Sequence, residues 1–307
     1  VSGPQVRDDP KQRVRLFWEA HPVGARLNPH PPGSPAFFEE ARRIRYSLEP
    51  HILGAIDFPR WAGKRVLEIG CGLGTDAAEF CRVGASYTGM DLTDAAARLT
   101  RAHLAYRQCR GSVIRGDAER LPFRDAAFDL VFSHGVLHHT PDTAGAVREV
   151  HRVLRPDGLA AVMVYHRHSW NYWGNILVLR RLGALVLRSR WGPAIVSRLT
   201  GEDVAVLEEH QRRMLAEPRY FSPEVFLRHN TDGPGNPISK VYSRAEARDL
   251  FRGFARVETR VYHLNLRSVP LLRRVVPQPL SYRLGRGVGW HLWVYATKGE
   301  TAPASVP

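Results

Sequence analysis

The run Val66–Leu67–Glu68–Ile69–Gly70–Cys71–Gly72–Leu73–Gly74–Thr75 delivers an apolar stretch into a glycine-rich turn that opens a helical segment. Glycines there let the backbone enter left-handed conformations and let a ligand press against the main chain. Carboxylates recur at the ends of successive apolar runs. Glu68 is placed to meet a cationic amino group. Asp91 is placed to accept from both hydroxyls of a ribose, and Asp117, in Gly116–Asp117–Ala118–Glu119, from an exocyclic adenine amine. Histidines gather after the next run, in Ser133–His134–Gly135–Val136–Leu137–His138–His139, and His166 closes a later one. An imidazole with a pKa near ~6.5 is suited to taking a proton from an oxygen or nitrogen acceptor.

Positioning these groups requires a sheet whose strands all end on one side. Short apolar runs at 65–69, 86–90, 112–115, 128–133 and 159–165 alternate with helical stretches at 75–83, 94–108 and 142–154. Such alternation implies βαβ units and a parallel sheet with helices on both faces. Further strands are expected at 256–264 and 290–297, after a helix at 243–254 whose Ser243 and Glu246 have capping-box spacing. The expected architecture is α/β: a Rossmann-like, doubly wound, seven-stranded and mostly parallel sheet. Residues 1–60 form a helical N-terminal extension, with helices ending near Trp18 and running from Ala36 to Ile56. The main domain spans 61–299 and carries a helical insertion over 167–242, including a basic amphipathic helix at Ile176–Arg188; 300–307 form a flexible tail.

Taken together, VLEIGCGLGTDAAEF from Val66, the GMD of 89–91, GDAERLPFRDAAFDLVFSHGVLHHTPD of 116–142 and REVHRVLRPDG of 148–158 resemble class I S-adenosylmethionine-dependent methyltransferases. The likeness is greatest to the branch that methylates quinones, sugars and other natural products. It covers about residues 61–166, returns weakly in the last two strands, and is specific for cofactor rather than substrate. The resemblance implies S-adenosylmethionine as cofactor. Glu68, Gly70, Gly72 and Gly74 would surround its methionine part with His134 beside them, Asp91 and Leu92 would hold the ribose, and Asp117 and Ala118 the adenine. Tyr46, on the N-terminal helical segment, would cap the methionine end, ordinary helix packing being the other reading. His138 is the first candidate base, because similar sugar methyltransferases place histidines of this loop beside the acceptor. His139 and His166 follow, and bracing of the loop is the competing role. Residues 1–60 and 167–242 would form a lid over a small-molecule acceptor.

Other functions fit less well. The dinucleotide spacing G-x-G-x-x-G fails at Thr75, although Gly72–Gly74–Ala77 meets its looser form, so an NAD-dependent oxidoreductase stays as a remote alternative. No lysine follows a tyrosine by four residues, which argues against the short-chain type. A D/N-P-P-Y/F run and a Pro-Cys pair are both missing, which argues against amino- or C5-methylation of nucleic acid and leaves a peptide carboxylate or RNA ribose as the second reading. The three cysteines have no metal or disulfide spacing. The N-terminal residues lack an apolar leader pattern, and Ile176–Leu187 is too short and too charged to span a bilayer, so a cytoplasmic enzyme of natural-product biosynthesis is expected.

Charge adds one more clue. The net +14 divides into +2 over 1–60, +1 over 61–165 and +11 over 166–307. The excess lies on the expected acceptor side, where arginine suits an anionic group such as a carboxylate or phosphate; a solvated arginine-rich surface is the plainer account.

Overall fold

The computed structural model describes residues 9–22, 24, 27–266 and 275–299; the tail expected at 300–307 lies outside them. The chain divides into two compact units. The first comprises 1–164, 245–259 and 293–307; the second comprises 165–244 and 260–292, taking in more chain than the segment expected at 167–242.

In the first unit, helices α1 (Pro10–Ala20), α2 (Pro35–Leu48) and α3 (His51–Ile56) precede the sheet. There follow β1 (Arg65–Ile69), α4 (Thr75–Arg82), β2 (Ser86–Asp91), α5 (Asp94–Tyr106), β3 (Gly111–Arg115), β4 (Phe128–His134), α6 (Thr143–Val153) and β5 (Leu154–His166). The alternation expected from the sequence is thus present, with strand ends displaced by at most one residue except at β5, which begins at Leu154 instead of 159.

Within the last residues of β5 the chain enters the second unit. A π-helix (Asn171–Arg180), α7 (Arg181–Leu187), α8 (Gly192–Thr200), α9 (Val204–Ala216), α10 (Pro223–Thr231) and a two-residue β6 (Val241–Tyr242) follow. The remaining elements are α11 (Arg244–Leu250), β7 (Arg256–Tyr262), α12 (Gln278–Val288) and β8 (His291–Thr297). Counting β6 the sheet has eight strands among the described residues, one more than expected.

Strand order is β3-β2-β1-β4-β5-β8-β7, and every pair from β3 to β5 is parallel. The order reverses between β1 and β4. Ligands of open α/β sheets bind in the crevice beyond the strands' carboxyl ends at such a switch point. Every candidate group from Glu68 to His139 sits on β1, β2, β3 or β4 or on the loops leaving them.

Local chemistry sets the element ends. Asp9 and Ser34 accept from the backbone N–H groups of Lys11 (3.0 Å) and Phe37 (3.2 Å) at the starts of α1 and α2. Thr93 caps α5 through Ala96 and Asp142 caps α6 through Gly145. The single helix expected over 36–56 is broken after Leu48, because Pro50 has no N–H to continue the ladder. The helix expected at 176–188 is instead π-wound through Arg180 before becoming α-helical. A Cβ on Gly174 would lie 2.4 Å from the Trp170 ring, so the missing side chain is what lets the indole lie against this turn. The helix expected at 243–254 stops at Leu250.

The core of the first unit centres on Phe132 of β4, whose ring meets Phe80 at 5.6 Å and Trp293 at 6.1 Å. All three are fully buried. Phe132→Ala should therefore cost about 3–5 kcal/mol of stability, read as a lowered urea midpoint at an unchanged m-value. A loss below ~1 kcal/mol would mean that this cluster is not the packing centre.

Candidate active site

Three glycines shape the turn after β1. Gly70, Gly72 and Gly74 have φ of 82°, 54° and 72°, left-handed values that cost other L-residues about 1–2 kcal/mol each. Their surroundings differ. A Cβ at Gly70 would stand 2.1 Å from a Val136 methyl, and one at Gly74 would stand 3.0 Å from the Thr100 backbone. At Gly72 the same atom would meet nothing within 4 Å. Two glycines are there for packing, and the middle one faces open space that can take a ligand.

Asp91 closes that space on the β2 side. Its Oδ1 accepts from the Thr93 N–H (3.0 Å) and hydroxyl (2.8 Å), and its Oδ2 from the Gly72 N–H (3.2 Å). Burial pushes its pKa up, while those hydrogen bonds and the one from Gly72 pull the other way. A carboxylate has about four acceptor positions, so Oδ2 keeps capacity for a ribose hydroxyl. Leu92 beside it is half-buried.

Glu68 is arranged differently. It is 3% exposed, and its Oε2 accepts from the Tyr87 hydroxyl at 2.6 Å. Burial, reinforced by Asp76, holds its carboxyl well above the ordinary range. This bond ties the end of β1 to Tyr87 of β2. Tyr46 is likewise committed: its hydroxyl donates to Asp76 Oδ1 at 2.8 Å, tying α2 to the first turn of α4.

Helix α1 touches the loops that follow β2, β3 and β4. Lys11 pairs with both Asp117 and Glu119. Glu19 accepts from the N–H groups of Asp94 (2.8 Å) and Ala95 (2.9 Å) at the start of α5. Trp18 meets the His139 ring edge-on at 5.2 Å. Eleven residues of helix, roughly 16 Å, therefore roof the switch-point crevice. Asp117 also accepts from the Glu119 N–H at 2.9 Å, so its carboxylate is engaged twice within the protein; Ala118 is buried next to it.

The candidate bases occupy a 3₁₀ turn, Leu137–His139, entered through Gly135 at φ 78°. Both rings are buried, 4.2 Å apart. His134 is half-buried and its ring lies 5.3 Å from Trp293. His166 lies in the second unit, where its Nδ1 donates to the Gly289 carbonyl at 3.1 Å and burial lowers its pKa. Sequence reasoning missed Lys11, Trp18, Glu19 and Tyr87. The α1 residues had only their helical pattern to mark them, and Tyr87 had its place on β2 in register beside β1.

Residues 67–162 match the family described as "Methyltransferase domain". The phthiotriol/phenolphthiotriol dimycocerosates methyltransferase of Mycobacterium tuberculosis is 43% identical over 122 residues, covering 39% of this chain and 43% of that protein. The ubiquinone biosynthesis O-methyltransferase of Pseudomonas aeruginosa is 34% identical over 118 residues, 36% of this chain and 48% of that one. The match thus spans less than half the length of these curated relatives. Among solved structures, a chain of the complex containing the Haloferax volcanii Trm112 methyltransferase activator aligns over 96% of this chain and all of its own, with TM-score 0.51 and 17% identity. The [4+2]-cyclase SpnF aligns over 98% of this chain and all of its own, with TM-score 0.50 and 14% identity. These two establish the fold. S-adenosylmethionine is the cofactor of this class of domain, and the open cradle at Gly72 with the spare acceptor of Asp91 fits its ribose.

Two expectations follow. Gly70→Ala should lose clearly more stability than Gly72→Ala, which meets the backbone cost of about 1–2 kcal/mol and no clash; equal losses in urea unfolding would contradict the packing assigned to Val136. For Glu68, a raised folded pKa means that the folded state holds the proton more tightly. Its stabilisation is full below the ordinary value of 4.5 and declines as pH rises towards the folded value. The Tm of the parent protein relative to Glu68→Gln should therefore fall from pH 4.5 to neutrality, and a flat difference would assign an ordinary carboxylate to Glu68.

Proposed function

Because residues 67–162 carry a methyltransferase domain, we propose that the protein transfers a methyl group from S-adenosylmethionine to a small-molecule acceptor by in-line displacement. What carries this reading is the coincidence, at one switch point, of the matched domain with the Gly72 cradle, Asp91 and the His138–His139 turn. The relatives act, by their names, on phthiotriol/phenolphthiotriol dimycocerosates and in ubiquinone biosynthesis, which supports a small natural-product-like acceptor. The +11 excess over 166–307 supports an acceptor bearing a carboxylate or phosphate.

When bound, S-adenosylmethionine supplies a methyl group already activated on a sulfonium. What remains for this chain is binding, alignment and exclusion of water. Gly70 to Gly74 present backbone to the cofactor, Asp91 with Leu92 holds its ribose, and Ala118 with Asp117 takes the adenine. The adenine amine then shares the Asp117 carboxylate with the ammonium of Lys11. His134 flanks the methionine end. The roof of α1 keeps water from the His138–His139 turn, where Trp18 covers one ring. His138 takes the acceptor's proton, with His139 next in line.

Calorimetry decides the outline. S-adenosylmethionine should bind and NAD should not; absence of both S-adenosylmethionine and S-adenosylhomocysteine binding would refute the proposal. Asp91→Ala should weaken cofactor binding at least tenfold, about 1.4 kcal/mol. With an acceptor in hand, His138→Gln should lower kcat by roughly 10²-fold while cofactor affinity stays within about twofold. Retained kcat would assign His138 to bracing the loop.

A further inference from the structure

The stretch from the π-helix through α8 is apolar on two sides. Inward, Ile176, Ala184 and Leu187 are buried. Outward, Trp173 and Val178 lie five residues apart on the π-helix, and Leu182 and Leu185 continue that stripe along α7; all four are exposed. Ile195 and Leu199 repeat the arrangement on α8, with Trp191 at the turn between the helices. These are not marginal exposures: Leu182 is 57% exposed, Trp191 62% and Leu199 75%. Single apolar residues on a surface need no explanation, whereas a continuous set of large ones marks a contact.

Charge identifies the contact. Residues 167–201 contain six arginines and no aspartate or glutamate. Arg188, Arg190 and Arg198 are exposed among the apolar side chains, and the Arg190 guanidinium lies 4.7 Å from the centroid of the Trp191 ring. A second copy of the chain would bring this cationic patch against itself across a two-fold axis, which like-charge repulsion opposes. Within these helices leucine and tryptophan stand beside arginine without acid, the composition of a helix lying in a lipid interface, and the first acids, exposed Glu202 and Asp203, follow the end of α8. No described helix is long and apolar enough to cross a membrane.

We propose that the outer face of the π-helix, α7 and α8 docks on a bilayer surface containing anionic lipid, inserting Trp173, Leu182, Leu185 and Trp191 at headgroup level while Arg188, Arg190 and Arg198 pair with lipid phosphates. The patch belongs wholly to the second unit. This proposal goes beyond the methyl-transfer reading and stands without it, since docking requires no cofactor.

The test is co-sedimentation of the full chain, without cofactor, with vesicles of phosphatidylcholine alone or mixed with phosphatidylglycerol. Binding should be at least tenfold tighter to the mixed vesicles and should weaken as salt is raised. Tryptophan emission should shift to the blue on binding. Arg188→Gln with Arg190→Gln should weaken binding by roughly fivefold per arginine. Leu182→Gln with Leu185→Gln, both solvent-facing and so compatible with folding, should abolish the emission shift and weaken binding at least tenfold; circular dichroism checks the fold. The proposal is overturned if the parent protein ignores both vesicle types, or if the leucine pair leaves binding unchanged. It is equally overturned if analytical ultracentrifugation shows a stable dimer that the leucine variant dissociates, because the face would then cover a second copy.

Discussion

A methyl group of Val136 fills the space in which residue 70 would carry a side chain, and the crevice is organised around that close approach. It holds the loop leaving β4 against the turn leaving β1. The same two segments are joined by the Ser133 hydroxyl, which donates to the Ile69 carbonyl at 3.1 Å. The next residues of the β4 loop are Leu137, His138 and His139. One absent side chain thus sets the distance between the backbone that would cradle a cofactor and the imidazoles that would take a proton. Gly74 repeats the device against Thr100, which fixes α5 and with it the Thr93–Asp91 pair.

Over this floor α1 adds a roof held by contacts of different kinds. Lys11 is an ion-pair anchor whose pKa is held up by Asp117 and Glu119 against the opposing effect of burial. Glu19 is a helix-capping carboxylate at the positive end of the α5 dipole. Trp18 is an aromatic contact to His139. The two polar anchors bond to the same short segments, after β3 and after β2, that would receive adenine and ribose. Asp117 is the group that the roof and a bound adenine would share, since Lys11 already pairs with its carboxylate.

The fold does not itself choose the reaction. One structural neighbour is named as a complex of a methyltransferase activator with a methyltransferase and the other as a [4+2]-cyclase, at almost the same TM-score. A shared scaffold hosts different chemistry, and function has to be argued from the site. Here the site's acceptor side remains the province of side chains that no motif marks.

Strand–helix alternation from Arg65 to His166 was legible because a buried parallel strand and an amphipathic helix each leave a period in the sequence. The glycine turn and the carboxylates at 91 and 117 were legible for the same local reason, since backbone freedom and charge at a strand end belong to single residues. The helix break at Pro50 is a local signal of the same kind, which the expectation of one helix over 36–56 passed over. By itself the sequence determined the class of fold, the kind of cofactor and the strand ends that would hold it. Only the tertiary structure decided that Glu68 turns to Tyr87, that Tyr46 answers to Asp76, that Lys11 reaches Asp117 across 106 positions, and that α7 keeps an apolar face towards solvent. Each of these depends on which distant segment arrives beside a side chain, and contacts between distant segments leave no period in the chain.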